Sequence, residues 1–169
     1  MLGKMDVITE RLVLHALSSG EARRIVNRAP NEDDLWHEDY PLEDELDPLR
    51  SLADSLDAHP AFTLYMIQMA EDRRAIGGIG FFGAPGADGV VELGYGLVEP
   101  MRGLGLATEA LLAAITIAAT HGALRVKADT AVDNIASQRV LAKAGFLEPS
   151  RSSQDSYYAL ELYLATLLN

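Results

Sequence analysis

Residues 90–122 read VVELGYGLVEPMRGLGLATEALLAAITIAATHG, and no other stretch restricts the fold as tightly. An extended run, Val90–Val98, enters a small-residue turn, Arg102–Gly105. A long apolar helix pattern, Leu106–His121, leaves it, and Gly122 stands where a helix stop is expected. Strand, glycine turn and helix start together gather backbone N–H groups around one point, because the first turn of a helix leaves its donors without intrahelical partners. The helix dipole adds partial positive charge there. Glycines remove the Cβ atoms that would hold an anion away from the backbone. Val98–Ala110 therefore reads in two ways: as a pyrophosphate cradle, or as a tight turn whose Gly103 and Gly105 serve backbone geometry alone.

The rest of the chain arranges itself around that unit. Val7–Leu14 alternates as a strand, and Leu17–Ala29 carries a short helix pattern opened by Ser18 or Ser19 and stopped by Pro30. Asp47-Pro48 reads as a helix N-cap with proline in the first turn. Leu49, Leu52, Ala53 and Leu56 then mark one helical face, and His59-Pro60 ends it. Phe62–Met69, Ala75–Phe82 and Val90–Val98 are three strands joined by short polar or glycine turns, which predicts an antiparallel meander. Leu124–Ala131 follows the central helix as a strand, so the pair around the glycine turn is parallel through a right-handed crossover. Asn134 caps a helix over Ile135–Ala144, with Gly145 behind it. Phe146–Glu148 and Tyr157–Leu164 read as the last two strands. No repeat or linker divides the chain, so residues 1–169 are expected to form a single domain.

Composition narrows the function. The 169 residues carry a formal net charge of −11 and no cysteine. A strongly acidic chain lacks the basic footprint that nucleic acid needs. The absence of cysteine excludes disulfides, thiolate metal sites and a cysteine nucleophile. His15, His37, His59 and His121 share no metal-ligand spacing, so no metal is expected. No apolar run has the length of a membrane span, and MLGKMDVITER has no signal-peptide core. A cytoplasmic protein with no membrane partner is the expectation. Acidic residues crowd into Asn31–Asp47, NEDDLWHEDYPLEDELD, which reads as a partly packed loop or short helices, anchored by Trp36, Tyr40 and Pro41. The segment is either a solvated surface or an acidic wall that attracts a cationic substrate.

One carboxylate stands out on the strand before the turn. By period two, Val90, Glu92, Gly94, Gly96 and Val98 share a face, with Leu93 and Tyr95 opposite. Two glycines beside Glu92 leave an open patch where a substrate backbone can approach; the alternative is an ordinary exposed strand glutamate.

Taken together, several pieces carry a family resemblance. They are T-E-R-L-V-L at Thr9–Leu14, A-I-G-G-I-G-F at Ala75–Phe81 and E-L-G-Y at Glu92–Tyr95. R-G-L-G-L-A-T-E-A at Arg102–Ala110 and N-I-A-S-Q-R-V-L-A-K-A-G-F at Asn134–Phe146 follow. Arg102, Gly105 and Ala107 match the pattern Arg/Gln-x-x-Gly-x-Gly/Ala. The chain resembles the GCN5-related N-acetyltransferases (GNAT), within them the group of the ribosomal-protein N-terminal acetyltransferases. His15 departs from the arginine common after the opening motif of that group. A dinucleotide-binding G-x-G-x-x-G fits less well, because Thr108 occupies its third small position, and the Gly-Lys-Ser/Thr of a P-loop is absent.

The resemblance implies an α/β (α+β) GNAT fold. Its mixed, mostly antiparallel sheet of six to seven strands has a central parallel pair splayed at a bulge, flanked by about four helices. It implies acetyl-CoA as co-substrate, with the pyrophosphate on the backbone of Gly103, Leu104, Gly105, Leu106, Ala107 and Thr108, and Arg102 beside it. The pantetheine arm would pair with Leu97, Val98 and Glu99 and meet the Asn134 side chain. Pro100, which has no N–H, agrees with a ladder broken at that point. Glu92 is then the candidate base, directly or through water, and Ser137 the candidate proton donor to the leaving sulfur. Tyr157 or Tyr158 is the alternative donor. The implied activity is transfer of an acetyl group to a primary amine by direct attack, on a protein N-terminus or a small cationic amine. Trp36 and Tyr40 either line the acceptor mouth or pack their loop onto the core. A homodimer is common in the family. The competing reading is a non-catalytic acyl-CoA-binding or regulatory module on the same fold.

Overall fold

Val90–Leu97 and Arg125–Ala131 bury residues largely in alternation, whereas Leu12–Ala16 and Ala75–Phe81 are buried on both faces. The computed structural model describes residues 6–151 and 155–161, with side chains through Glu148 and at Tyr158. The strands are β1 (Val7–Ile8), β2 (Leu12–Ala16), β3 (Leu64–Met69), β4 (Ala75–Phe81), β5 (Val90–Leu97), β6 (Arg125–Ala131), β7 (Leu147–Arg151) and β8 (Asp155–Glu161). The α-helices are α1 (Ser19–Val26), α2 (Leu46–Ala53), α3 (Leu106–Thr120) and α4 (Ile135–Lys143). One eight-stranded sheet runs β1-β2-β3-β4-β5-β6-β8-β7. Every neighbouring pair is antiparallel except β5 and β6. This is the expected mixed architecture, with one strand more than the six to seven anticipated.

The extra strand comes from the Val7–Leu14 run. The Thr9 hydroxyl accepts from the Leu12 N–H at 3.1 Å, and the chain turns there, so that Val7 pairs with Leu14. Two helix boundaries also move. α1 ends at Val26 because Arg28 takes a left-handed φ of 51° before Pro30 is reached. α2 begins at Leu46, one residue before the expected Asp47 cap, because a 3-10 turn over Glu43–Glu45 leads directly into it. It ends at Ala53, well short of His59. The expected last strand stops at Glu161 in the described chain; Leu162–Leu164 lie outside the described residues.

α3 lies across the sheet. Leu106, Ala110, Leu111, Ala114, Ile117 and Ala118 are buried on it, facing a core that includes Leu14, Ile67, Ile76, Leu93 and Val126. Leu111 is fully buried, so its side chain alone contributes about 1.5–3 kcal/mol. The acidic segment is pinned rather than free. Trp36 bridges to Ala75 at the start of β4, the His37 N–H donates to the Ala75 carbonyl at 2.9 Å, and Tyr40 is buried.

The feature that positions a site is the end of the parallel pairing. β5 and β6 pair at Val90, Val91 and Glu92 and no further. Beyond Glu92, β5 continues along β4 through Leu97 without a register shift, while β6 continues along β8 to Ala131. The two strands therefore splay after Glu92 and open a gap at the level of Leu93–Leu97.

Candidate active site

The glycine turn sits at the mouth of that gap. Gly103 and Gly105 have φ of 76° and 79°, the left-handed region where a side chain is strained, and Gly105 is the N-cap of α3. The N–H groups of Gly103 through Thr108 find no hydrogen-bond partner among the described residues. A Cβ built on Gly103 would meet nothing within 4 Å. The turn thus offers consecutive unclaimed donors beside open space, at the positive end of α3.

A clamp holds this turn from behind. The Glu109 carboxylate accepts from the Thr9 hydroxyl (2.6 Å), the Arg11 backbone N–H (2.7 Å) and Arg11 Nε (2.8 Å). Arg11 Nη1 donates to the Leu104 carbonyl at 2.9 Å. Burial pushes the Glu109 carboxyl up, but these donors outweigh it and hold it below its ordinary range. The T-E-R-L and A-T-E-A motifs are therefore the two halves of one contact, which a helix-dipole account of Glu109 alone does not reveal.

The β5 edge supplies backbone groups to the gap. Phe82 N–H donates to the Glu92 carbonyl and Val98 N–H to the Ile76 carbonyl, both at 2.9 Å. Alternation then turns the N–H and C=O groups of Leu93, Tyr95 and Leu97 away from β4, into the gap. Arg102 Nε occupies the Leu97 carbonyl at 2.9 Å. Val98 is fully buried, and both its backbone groups are engaged, with Ile76 and Met101. Glu99 is exposed, and its carbonyl accepts from the Arg102 N–H. Of the Leu97–Glu99 stretch, Leu97 is the residue that faces the gap, and the free edge runs back toward Tyr95 and Leu93.

Across the gap stands the start of α4. The Asn134 side-chain oxygen caps it by accepting from the Ser137 N–H at 3.1 Å, which leaves the amide NH2 available. The Ser137 hydroxyl lies 3.0 Å from the Tyr95 hydroxyl. Burial raises the Tyr95 pKa although the Ser137 hydrogen bond pulls the other way, so Tyr95 holds its proton at neutral pH. Tyr158 is buried on β8 opposite Ala128 of β6, and the side chain of Tyr157 lies outside the described residues.

These elements enclose a cavity of about 660 Å³. Arg102, Gly103, Gly105, Ala107, Thr108, Asn134 and Ser137 line it; Glu92, Val98, Glu99, Leu104 and Leu106 do not. Leu106 is buried beneath the turn and Leu104 is exposed. Its charges are segregated. Arg102, Arg139 and Lys143 belong to the glycine-turn and α4 end, and Asp44 and Glu45 to the end formed by the 3-10 turn and α2. Tyr40 lines that second end. Trp36 packs edge-on against Tyr40 at 5.6 Å instead of lining the cavity.

Two of these residues had no role in the sequence reading. Tyr95 was placed on the face away from Glu92, which is correct, but its hydrogen bond to Ser137 depends on a helix far along the chain. Glu45 was one acid among many, yet Leu42, Glu45 and Leu49 recur at helical spacing, and that pattern places Glu45 on an inward face. Glu92 closes the parallel ladder opposite Lys127, half-buried, just outside the cavity.

Among the described residues no group of three His, Asp or Glu side chains is arranged to hold a metal ion, and no helix is long and apolar enough to cross a membrane. The family model of the acetyltransferase (GNAT) domain matches residues 11–147. A curated relative, the uncharacterized N-acetyltransferase YjdG of Bacillus subtilis (strain 168), is 29% identical over 98 residues. That match covers 57% of this chain and 58% of YjdG. Among solved structures, the ribosomal-protein-S5-alanine acetyltransferase of Vibrio fischeri superposes with a TM-score of 0.68 at 17% identity, covering 93% of this chain and 96% of that one. A variant of the spermidine N-acetyltransferase SpeG of Vibrio cholerae does so at 0.68 and 18%, covering 95% and 98%. The same fold thus serves proteins named for very different acceptors. With the splayed parallel pair, the glycine turn and the matching family model in place, the chain belongs to the GNAT acetyltransferase family.

Proposed function

We propose that the protein, as a single domain, moves an acetyl group from acetyl-CoA to a primary amine. The observation that carries this is the segregated cavity through the splay: unclaimed N–H groups and cations at one end, carboxylates at the other. In a chain of net charge −11, Arg102, Arg139 and Lys143 beside a helix N-terminus fit a phosphate-bearing ligand. Acetyl-CoA fits the residues present. The Gly103–Thr108 backbone and Arg102 would hold its pyrophosphate, and the edge from Leu93 to Leu97 and the Asn134 amide would hold its pantetheine arm. Bound there, it supplies an activated acetyl thioester.

The chain's own groups then divide the work. Ser137, hydrogen-bonded to Tyr95, would deliver a proton to the departing sulfur. Glu92, at the point of splay, reaches an amine only through water. The segregated charge draws a cationic amine to the far end. A GNAT fold of this kind suits a protein N-terminus or a small amine as acceptor, and the family resemblance favours an N-terminal α-amine as the first to test.

Calorimetry with CoA and acetyl-CoA, followed by thiol release with a panel of amines, tests the reading. Micromolar CoA binding and amine-dependent thiol release are expected. No CoA binding would overturn it, and binding without thiol release for any amine would make the chain a binding module.

A further inference from the structure

We propose that Glu45 selects the acceptor and takes its proton, and that the acceptor is a monocationic primary amine carried on an apolar group. This deepens the acetyltransferase reading and rests on it.

Most of the acidic segment faces water. Glu32, Asp33, Glu38, Asp39, Glu43, Asp44 and Asp47 are exposed, whereas Glu45 is half-buried over the sheet. Its Oε2 is fixed by the Leu42 N–H at 2.9 Å. Its Oε1 has no hydrogen-bond partner among the described residues and lies directly above Gly78 of β4: a Cβ built on Gly78 would collide with it. Gly78 pairs with Gly96 of β5, beside Tyr95 on the free edge. The carboxylate is thus roughly one strand spacing, about 5 Å, from the edge that faces the gap. No cation among the described residues pairs with it. A half-buried carboxylate with one oxygen tethered and the other open is a seat for an ammonium group.

The walls decide which ammonium. Leu17, Leu42, Leu49, Leu64 and Phe82 line this end of the cavity. They suit the carbon skeleton of an amine; the second carboxylate lining this end, Asp44, is exposed to water, so a further positive charge gains little from it. A polyamine is therefore disfavoured, although the acidic sequence around Glu45 suggests one. The chemistry required is a primary amine bonded to an apolar group, found both in small alkyl or aryl amines and at peptide N-termini.

Burial, reinforced by Asp44 and opposed by the Leu42 N–H, pushes the Glu45 carboxyl up to about 7, where it both accepts and releases a proton near neutrality. The titratable groups facing it are Asp44 on its own turn and Tyr40 from the preceding loop; Tyr65 of β3 pairs with Ile79 and turns to the other face of the sheet. The proton balance closes. The ammonium gives one proton to Glu45, which passes it to solvent. The freed nitrogen lone pair forms the C–N bond as the C–S bond breaks and its electron pair leaves on sulfur. The second nitrogen proton goes to that sulfur, with Ser137 as donor. One ammonium and one acetyl thioester become one amide, one thiol and one released proton.

Thiol release should be measured with phenethylamine, an alanine-initiated tripeptide and spermidine across pH 5.5–9, alongside calorimetry with CoA. In the wild type, kcat/KM for phenethylamine or the tripeptide should exceed that for spermidine at least tenfold, and the better of the two identifies the source of the amine. The acid limb of its pH profile should fall near 7. Glu45→Gln should lower kcat/KM for the amine about a hundredfold, flatten that limb and leave CoA affinity within twofold. Gly78→Ala, which displaces Oε1 without removing it, should act in the same direction. A preference for spermidine, or wild-type kcat/KM and pH profile in Glu45→Gln with CoA still bound, would overturn the inference while leaving the acetyltransferase reading intact. Failure of the wild type to bind CoA would overturn both.

Discussion

Replacing Glu109 with alanine should loosen the glycine turn and the start of the sheet together. The carboxylate is 16% exposed and accepts from Thr9, the Arg11 backbone and Arg11 Nε. Hydrogen bonds to a charged group contribute about 1.5–3 kcal/mol each. The Arg11 guanidinium is 44% exposed, so its share is at most about 1 kcal/mol. Bonds that share one acceptor are not additive, and the sum comes to about 3 kcal/mol. For a domain of this size that is a Tm drop of roughly 6–12 °C. Urea unfolding at pH 7 measures it directly. The sign with pH follows from the carboxyl being held below its ordinary 4.5. Its contribution is full above 4.5 and is lost as pH falls through the depressed folded value, so wild type and variant should converge in acid. Because Arg11 also holds the Leu104 carbonyl, CoA affinity should fall about tenfold. A stability loss below about 1 kcal/mol with unchanged CoA affinity would refute the clamp.

Two further outcomes follow from the same contacts. Ser137→Ala should lower kcat about tenfold or more with little change in the KM for acetyl-CoA, and Tyr95→Phe should do so more weakly; full turnover in both, read by thiol release, would remove them from the proton path. His15 lies between Asp6 (2.6 Å) and Glu21 (2.7 Å), with Arg73 on the far side of Asp6. The hydrogen bond to Glu21 raises the His15 pKa against its burial, helped by Asp6. Its contribution is therefore full below about 6.5 and lost as pH rises through the raised folded value. Glu21, which burial alone would push up, is held at about 2 by His15 and Ser18, so the pair weakens again only in strong acid. The stability gap between wild type and His15→Ala, from urea midpoints, should be widest near pH 5–6 and shrink by pH 9.

Much of this was legible along the chain. The central helix announces itself through Leu106–Ala119, because a buried helix needs apolar residues and little else. Asn134 reads as a cap because a side-chain oxygen three residues before a free N–H has one obvious partner. The mixed sheet follows from short turns in the first half and a helical crossover in the second. The misses are of another kind. Thr9 splits a strand because its hydroxyl satisfies Leu12, a local contest that alternation does not register. Glu92, singled out by the two glycines on its face, stands half-buried at the last parallel pair, outside the cavity lining. Glu45 was hidden by its company: seven acids around it are exposed, and packing over Gly78 sets it apart from them. Likewise Tyr95 and Ser137, or Arg11 and Glu109, meet only after the chain has folded back on itself.

The cavity's two ends come from different tracts of the chain. The glycine turn, the β5 edge and α4 make one end, and the short run from Tyr40 to Leu49 contributes much of the other, including both of its carboxylates. Within that run Tyr40 and Leu49 pack into the core, while Leu42 and Glu45 lie over Gly96 and Gly78 of the sheet. Under the proposed function, substitutions at its cavity-lining positions Leu42, Asp44, Glu45 and Pro48 would re-aim the protein at a new amine while leaving the glycine turn, the β5 edge and α4 unchanged. Inheritance of a fixed donor grip with an exchangeable ten-residue visor is a simple physical route by which one ancestral scaffold diverges into enzymes for unrelated amines.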